Sequence, residues 1–303
     1  MNVTPGTGVV MGAIKGDCDM PYLEEMDTLS LVTYLNQQDT RPQVAVHTAI
    51  EDIAGAVDAI FHRIEQGGRV RVIGAGTSGR LAQLDASELP PTFGIEEDLW
   101  GAIMAGGKDA FWQAVEGAED DREAGKAAVD QQGLGASDVV IGVAASGRTP
   151  FVSGALESAA NHGCLRVGII CVPDTPWLPL LDIAIRLPVG EESLQGSTRM
   201  LAGTAQKMAL NILSTSVMIR QGHVAKNLMI DMRASNKKLR QRAQFIVTSI
   251  LGCSEAESQR LLEHHHYEIR RALVAHLTGK SGAALDQALI ENALPVLLRG
   301  SMS

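Results

Sequence analysis

Val72-Ile73-Gly74-Ala75-Gly76-Thr77-Ser78-Gly79-Arg80 has a near copy further along the chain, Val140-Ile141-Gly142-Val143-Ala144-Ala145-Ser146-Gly147-Arg148. Each is a short apolar run that gives way to small residues and then to Ser-Gly-Arg, so each reads as strand, tight turn and helix start. The first copy also satisfies G-x-G-x-x-G, which alone is a weak sign of dinucleotide binding. A dinucleotide site takes one such turn and an acidic ribose ligand after the next strand. Here the next strand ends in Ala105-Gly106-Gly107, with no carboxylate. Two hydroxyl-bearing turns fit one compact phosphate better. Backbone N–H groups at a helix N-terminus attract an anion. Gly76 and Gly147 supply backbone, and Thr77, Ser78, Ser146 and Thr149 can add neutral hydrogen bonds. Ser and Thr also favour helix starts for purely structural reasons; the duplication is what favours binding. A third turn, Gly196-Ser197-Thr198-Arg199, opens a later apolar helix, and Ser197 and Thr198 read either as plain caps or as sugar contacts.

Outward from these turns, strands are expected over 69–74, 99–105, 138–144, 166–172 and 182–187. They alternate with helices over 43–66, 78–88, 109–117, 121–132 and 149–162, the second of them stopped by Pro90-Pro91. That alternation predicts an α/β fold: a five-stranded, doubly wound parallel sheet flanked by helices, both turns opening at its carboxyl edge, where ligands bind. From Thr198 onward the pattern is helical only, over 198–221, 231–251, 254–262, 267–277 and 282–290. The domain reading is a flexible lead-in over 1–26, a main domain over 27–221, and a C-terminal helical region over 222–303 that ends in a small bundle.

The chain has 303 residues, 45% of them apolar but only 4% aromatic, so the core must be built from aliphatic side chains packed closely between helices and sheet. A net charge of −9 does nothing to draw in an anion, so local groups must hold any phosphate. No basic stripe is interleaved with aromatics, so a nucleic-acid partner is not expected. No run approaches the ~18 apolar residues of a membrane span, and no charged segment followed by an apolar run marks a secretory leader. Cys18, Cys164, Cys171 and Cys253 form no C-x-x-C pair and read as reduced thiols of a cytoplasmic protein. His264-His265-His266 do not share one helical face, so no metal site is expected there. Arg80 and Arg148, just inside their helices, are expected to pair with nearby carboxylates; Lys207 reads equally as a phosphate contact or an ion-pair partner.

Longer blocks carry a resemblance. Gly74 to Leu81 is followed by Leu84-Asp85-Ala86-Ser87-Glu88 and Pro90-Pro91-Thr92-Phe93-Gly94. Then come Ala114-Val115-Glu116-Gly117-Ala118-Glu119-Asp120, Ala144-Ala145-Ser146-Gly147-Arg148-Thr149-Pro150, Gly196-Ser197-Thr198-Arg199, Ala202-Gly203-Thr204-Ala205-Gln206-Lys207-Met208 and Asn227-Leu228-Met229. In this order, from about Asp27 to about Ala275, the chain resembles the N-acetylmuramic acid 6-phosphate etherases. The resemblance implies the sugar-isomerase (SIS) type of sheet, a homodimer, no metal or cofactor, and a ubiquitin-associated-like bundle over about 240–303. It implies cleavage of the D-lactyl ether at C3 of a sugar phosphate, with Glu88 as the proton donor to departing lactate and Glu119 as the base at C2. Chemistry agrees with a pair of carboxyl groups. An alkyl ether resists direct hydrolysis, but the C2 proton of the open-chain sugar lies next to an aldehyde. Its removal lets the C3 oxygen leave, if an acid protonates that oxygen. Read without the motif, Glu119 belongs to an acidic run that is usually a solvated face. Departures are Met20 to Glu25 in place of the family's Thr-Glu-x-Arg-Asn approach, Leu89 for a Cys, and Val172-Pro173 for Asn-Pro. The rival readings are a non-catalytic sugar-phosphate regulator, since the glucokinase regulatory protein resembles this family, and a sugar-phosphate isomerase.

Overall fold

The computed structural model of the chain describes residues 22–291 and Leu294. Strands β1 (Val70–Gly74), β2 (Trp100–Met104), β3 (Val139–Ala144), β4 (Leu165–Ile170) and β5 (Ile183–Arg186) form one sheet in the order β2-β1-β3-β4-β5, parallel at every pairing. β1 and β3 are buried along their whole length, because a parallel sheet is covered on both faces. Val72, Ile141, Val143, Val167 and Ile169 meet helices α2 (Thr40–Thr48), α3 (Ile50–Glu65), α4 (Gly76–Phe93) and α7 (Leu201–Arg220) on one face. Ile73, Val140 and Ile170 meet α5 (Arg122–Asp130) and α6 (Pro150–Asn161) on the other. Helix α1 (Thr28–Gln38) buries no residue and leaves Leu29 and Val32 exposed. The expected α/β architecture is present. The chain leaves β1 for β2 on one side and returns past it to β3 on the other. The strand order therefore reverses between β1 and β3, where a parallel sheet opens a crevice at its carboxyl edge.

Boundaries differ from the sequence reading for physical reasons. The helix expected over 43–66 is two helices broken at Ala49, where the Thr48 hydroxyl donates to the Ala45 carbonyl at 2.8 Å and competes with the backbone ladder. Val44 of α2 is exposed. α4 does not stop before Pro90-Pro91 but runs through both to Phe93 and ends at Gly94 in the left-handed region, φ 68°. The prolines remove the N–H groups due to the carbonyls of Ala86 and Ser87. Burial of Leu89 and Phe93 holds the last turn in place, and the Pro91 carbonyl accepts the Arg233 N–H at 3.2 Å. No helix spans 109–117; a 3-10 turn at Gly107–Phe111 stands there, between glycines 106, 107 and 117 that all have positive φ. α7 begins at Leu201 rather than Thr198.

Helices α8 (Lys237–Leu251), α9 (Glu255–His264), α10 (Ile269–Thr278) and α11 (Gly282–Ile290) enclose a second apolar cluster around Ile246, Leu262, Leu273 and Leu285. α8 starts at Lys237 rather than Asp231 because Asn236 caps it, accepting the Leu239 N–H at 3.0 Å. Asp231 instead ties this region to the end of α7. Its carboxylate lies 2.7 Å from His223 Nδ1 and accepts Arg270 Nε at 2.7 Å, and Arg270 Nη2 donates to the Gly222 carbonyl at 2.6 Å. Burial alone would raise the Asp231 pKa; the hydrogen bonds from Arg270 and His223 outweigh it and hold the group below its ordinary range.

α5 and α6 touch backbone to backbone. A Cβ on Gly125 would stand 1.9 Å from the Phe151 carbonyl oxygen, and one on Gly154 2.0 Å from that of Arg122. Gly125→Ala is therefore expected to lower stability by about 1–3 kcal/mol, read as a lower urea midpoint at unchanged slope; an unchanged midpoint would contradict this packing.

Candidate active site

α4 and α6 start at the carboxyl ends of β1 and β3, and Gly74 stands opposite Val143 in the pairing, so their opening turns lie side by side. Ala75 and Thr149 hold the N-cap positions without any side-chain capping bond. The first-turn N–H groups of both helices thus have no partner within the helix or from a cap. Gly76 and Gly147 take φ of 53° and 62° there. Gly147 is pinned from the loop after β4: the Thr175 hydroxyl donates to its carbonyl, and a Cβ at Gly147 would stand 2.3 Å from Thr175 Oγ1. Ser78 departs from expectation. Its hydroxyl is buried and donates to Gln206 Oε1 of α7 at 2.9 Å, so this turn offers the Ser78 backbone rather than its side chain. Ser146 is exposed, and Thr77 and Thr149 are half-buried.

The third turn is brought to the first. The Thr77 methyl and the Thr198 carbonyl lie 3.3 and 3.5 Å from where a Gly203 Cβ would stand. Its helix start is already served by an internal anion. Glu192, 7% exposed, accepts the N–H groups of Leu201 and Ala202 at 2.8 and 2.9 Å. A phosphate has no place at α7, and Ser197 and Thr198 keep only the sugar-contact reading.

A cavity of about 270 Å³ adjoins the first turn, lined by Ala75, Gly76, Arg80, Met104, Glu116, Glu119 and Asp120 among others. Glu119 sits in the 3-10 turn Ala118–Asp120 and is exposed. Among the described residues Arg80 pairs with no carboxylate: its Nε and Nη2 donate to the carbonyls of Phe111 and Ala110 at 3.0 and 2.9 Å. Arg148 makes no ion pair among the described residues. Glu88 is not in this cavity. It lies ten residues past Ser78, ~15 Å further along α4, on the exposed side of the helix. One chain brings the three turns and Glu119 together but leaves Glu88 apart. A larger cavity, about 710 Å³, lies elsewhere, between the end of α4 and α10, and holds none of these residues.

Residues 52–160 match the glucokinase regulatory protein N-terminal SIS domain, and residues 226–284 match the C-terminal lid domain of glucokinase regulatory protein. The N-acetylmuramic acid 6-phosphate etherase of Salmonella agona is 44% identical over 282 residues, 92% of this chain and 95% of that one. The etherase of Erwinia tasmaniensis is 47% identical over 267 residues, 88% of this chain and 87% of that one. The chain belongs to the N-acetylmuramic acid 6-phosphate etherase family. Its fold is shared by a solved phosphoheptose isomerase from Francisella tularensis, TM-score 0.52 at 21% identity, over 64% of this chain and all of that one.

Sequence reading missed several residues that shape this etherase-family site. Glu192, Thr175 and Gln206 act on backbone or side chains distant in sequence and carry no local motif. Lys207 approaches Asn211 rather than an anion, and its charge reaches Asp85. Among the described residues no group of three or more His, Cys, Asp or Glu is placed to hold a metal ion. Cys164, Cys171 and Cys253 are free thiols, and burial pushes the first two up to about 11 and about 12; Cys18 lies outside the described residues.

Asp85 is the unexpected charge of α4, three residues before Glu88. It is buried, accepts the Ser214 hydroxyl at 3.2 Å on one oxygen, and has no hydrogen-bond partner on the other among the described residues. Burial pushes its pKa up to about 6, against the lowering effects of Ser214 and Lys207. Between the ordinary 3.8 and about 6 the folded chain keeps a proton that the unfolded chain has lost, so this group makes stability fall as pH rises through that window. Asp85→Asn should remove the slope and gain about 2 kcal/mol on wild type between pH 4 and 7. Urea unfolding at both pH values checks this; an equal difference between variant and wild type at the two would contradict it.

Proposed function

We propose that this chain cleaves N-acetylmuramic acid 6-phosphate, in the cytoplasm, to N-acetylglucosamine 6-phosphate and D-lactate. The observation that carries the reading is the cavity that places Glu119 beside the Gly76 turn in a chain of this family. The phosphate rests on the N–H groups of Gly76, Thr77 and Ser78 and on the turn of Ser146, Gly147 and Thr149. Ser197 and Thr198 contact the sugar. In the open-chain form the Glu119 carboxylate takes the C2 proton. Glu88, as the acid, protonates the ether oxygen as the C3–O bond breaks, and lactate leaves with that oxygen. Glu88, now ionised, takes a proton from the water that adds at C3, and Glu119, which is exposed and exchanges its proton with solvent, returns one to C2. Both groups end as they began.

A second copy completes the site. Glu88 is too far along α4 to act on a sugar held at its own turns, whereas the partner subunit's Glu88 can close over the Glu119 cavity. The open apolar face of α1, with Leu29 and Val32, and Leu84 one turn before Glu88, exposed at 42%, supply surface for such a homodimer. The division near Gly222 into a sugar-phosphate domain over 27–221 and a helical region over 222–303, with its small bundle from about 240, belongs to the same proposal, supported by their separate apolar clusters. A regulator that only senses a sugar phosphate needs the turns but not the carboxylates.

Wild type should release D-lactate from N-acetylmuramic acid 6-phosphate, and Glu88→Ala and Glu119→Ala should each lose about 10³-fold in rate. Mixing the two inactive variants and allowing subunits to exchange should restore about a quarter of the wild-type rate, since half the dimers then carry one intact site. No release by wild type that still binds the sugar phosphate would contradict the enzyme reading. No recovery on mixing would contradict the shared site.

A further inference from the structure

Arg80 is the fifth residue of α4, just past the turn that holds the phosphate in the reading above, yet its guanidinium serves the neighbouring loop. It is half-buried and lines the Glu119 cavity. Its bonds to the carbonyls of Ala110 and Phe111 grip the 3-10 turn Gly107–Phe111. That turn begins the run of chain that leads to Glu119. A Cβ on Gly106 would stand 2.9 Å from Val115 Cβ and 3.0 Å from Ala110 Cβ, so the run folds back on itself. From Val115 it passes through Gly117, φ 73°, into the turn that bears Glu119. Besides Ala110, which is buried, little else holds it. Trp112 is 84% exposed and Val115 41%. Among the described residues, the hydrogen bonds of 107–117 to the rest of the fold come from Arg80 alone, the others being local turn bonds.

We infer that Arg80 is a positioning residue: it fixes the Glu119 base against the phosphate turn, so that phosphate and base hold one spacing. A planar fork can donate to two successive carbonyls at once, whereas an ammonium is a single point charge. The inference rests on the proposed etherase reaction.

The test compares full-length wild type with Arg80→Lys, Arg80→Gln and Gly106→Ala, measuring D-lactate release and the affinity for N-acetylglucosamine 6-phosphate. Both Arg80 variants should lose about 100-fold in kcat, with KM and product affinity close to wild type. Gly106→Ala leaves Arg80 in place but pushes the loop off Val115 and Ala110, and should lower kcat in the same way; it decides the matter if the Arg80 variants fail to fold. Wild-type kcat in Arg80→Lys would overturn the inference, since charge alone would then suffice. So would a raised KM with kcat kept, which would make Arg80 a substrate contact, or wild-type kcat in Gly106→Ala. A wild type that releases no D-lactate would instead defeat the underlying reaction, whereas an active wild type beside unaffected variants defeats only the role of Arg80.

Discussion

The parallel pairing of β1 with β3 is the constraint on which the site depends. It sets the N-termini of α4 and α6 next to each other at the point where strand order reverses, and neither helix start is capped by a side chain. A chain of net charge −9 thereby gains a local place for an anion without using a lysine or arginine there. Close approach makes this possible. A Cβ on Gly79 would stand 2.7 Å from the Gly74 carbonyl oxygen and 2.8 Å from Met104 Cγ, so a larger residue would lift α4 off the sheet. The third helix start nearby, that of α7, is neutralised from within by Glu192. Two of the three helix starts are thus left without an internal anion, and the third is not.

α4 then sets the scale of everything else. Its first turn is the proposed phosphate site, its Arg80 reaches across to the loop of Glu119, and its far end carries Glu88. The helix is a rod held on one side by α7 through Ser78–Gln206 and Ser214–Asp85. A buried carboxyl with one unpartnered oxygen is a cost in stability, so the seam fixes the orientation of α4 at some expense to the fold. Because a rod cannot bend its two ends toward one small molecule, the two carboxyl groups of the proposed reaction come from different chains in the proposed dimer. Pairing then covers side chains that a single chain leaves in water.

Most of the sheet was legible from the sequence, because buried parallel strands such as Val139–Ala144 are continuous apolar runs followed by small-residue turns. The two strand-turn-helix starts were legible for the same reason, and doubly so through their repetition. Glu88 and Glu119 were not legible by residue type, since both stand in ordinary polar surroundings; only the family blocks around them singled them out. What escaped was set by contacts distant in sequence. The buried anchors of Leu89 and Phe93 carry α4 through Pro90-Pro91, against local propensity. Gln206 claims the Ser78 hydroxyl from another helix, and Glu192 caps α7 from nine residues before it. Gly106, Gly107 and Gly117 turn an expected helix into the loop that Arg80 grips.

The central claim, proton removal at C2 followed by departure of the C3 oxygen, is tested most directly by running the reaction in deuterium oxide enriched in oxygen-18 and examining the sugar product by mass spectrometry and NMR. Elimination followed by addition predicts deuterium on C2 and solvent oxygen on C3 of the N-acetylglucosamine 6-phosphate, with the ether oxygen retained in lactate. Product that carries solvent oxygen on C3 but keeps its original C2 proton would contradict the account, because the ether would then have been displaced without any base acting at C2.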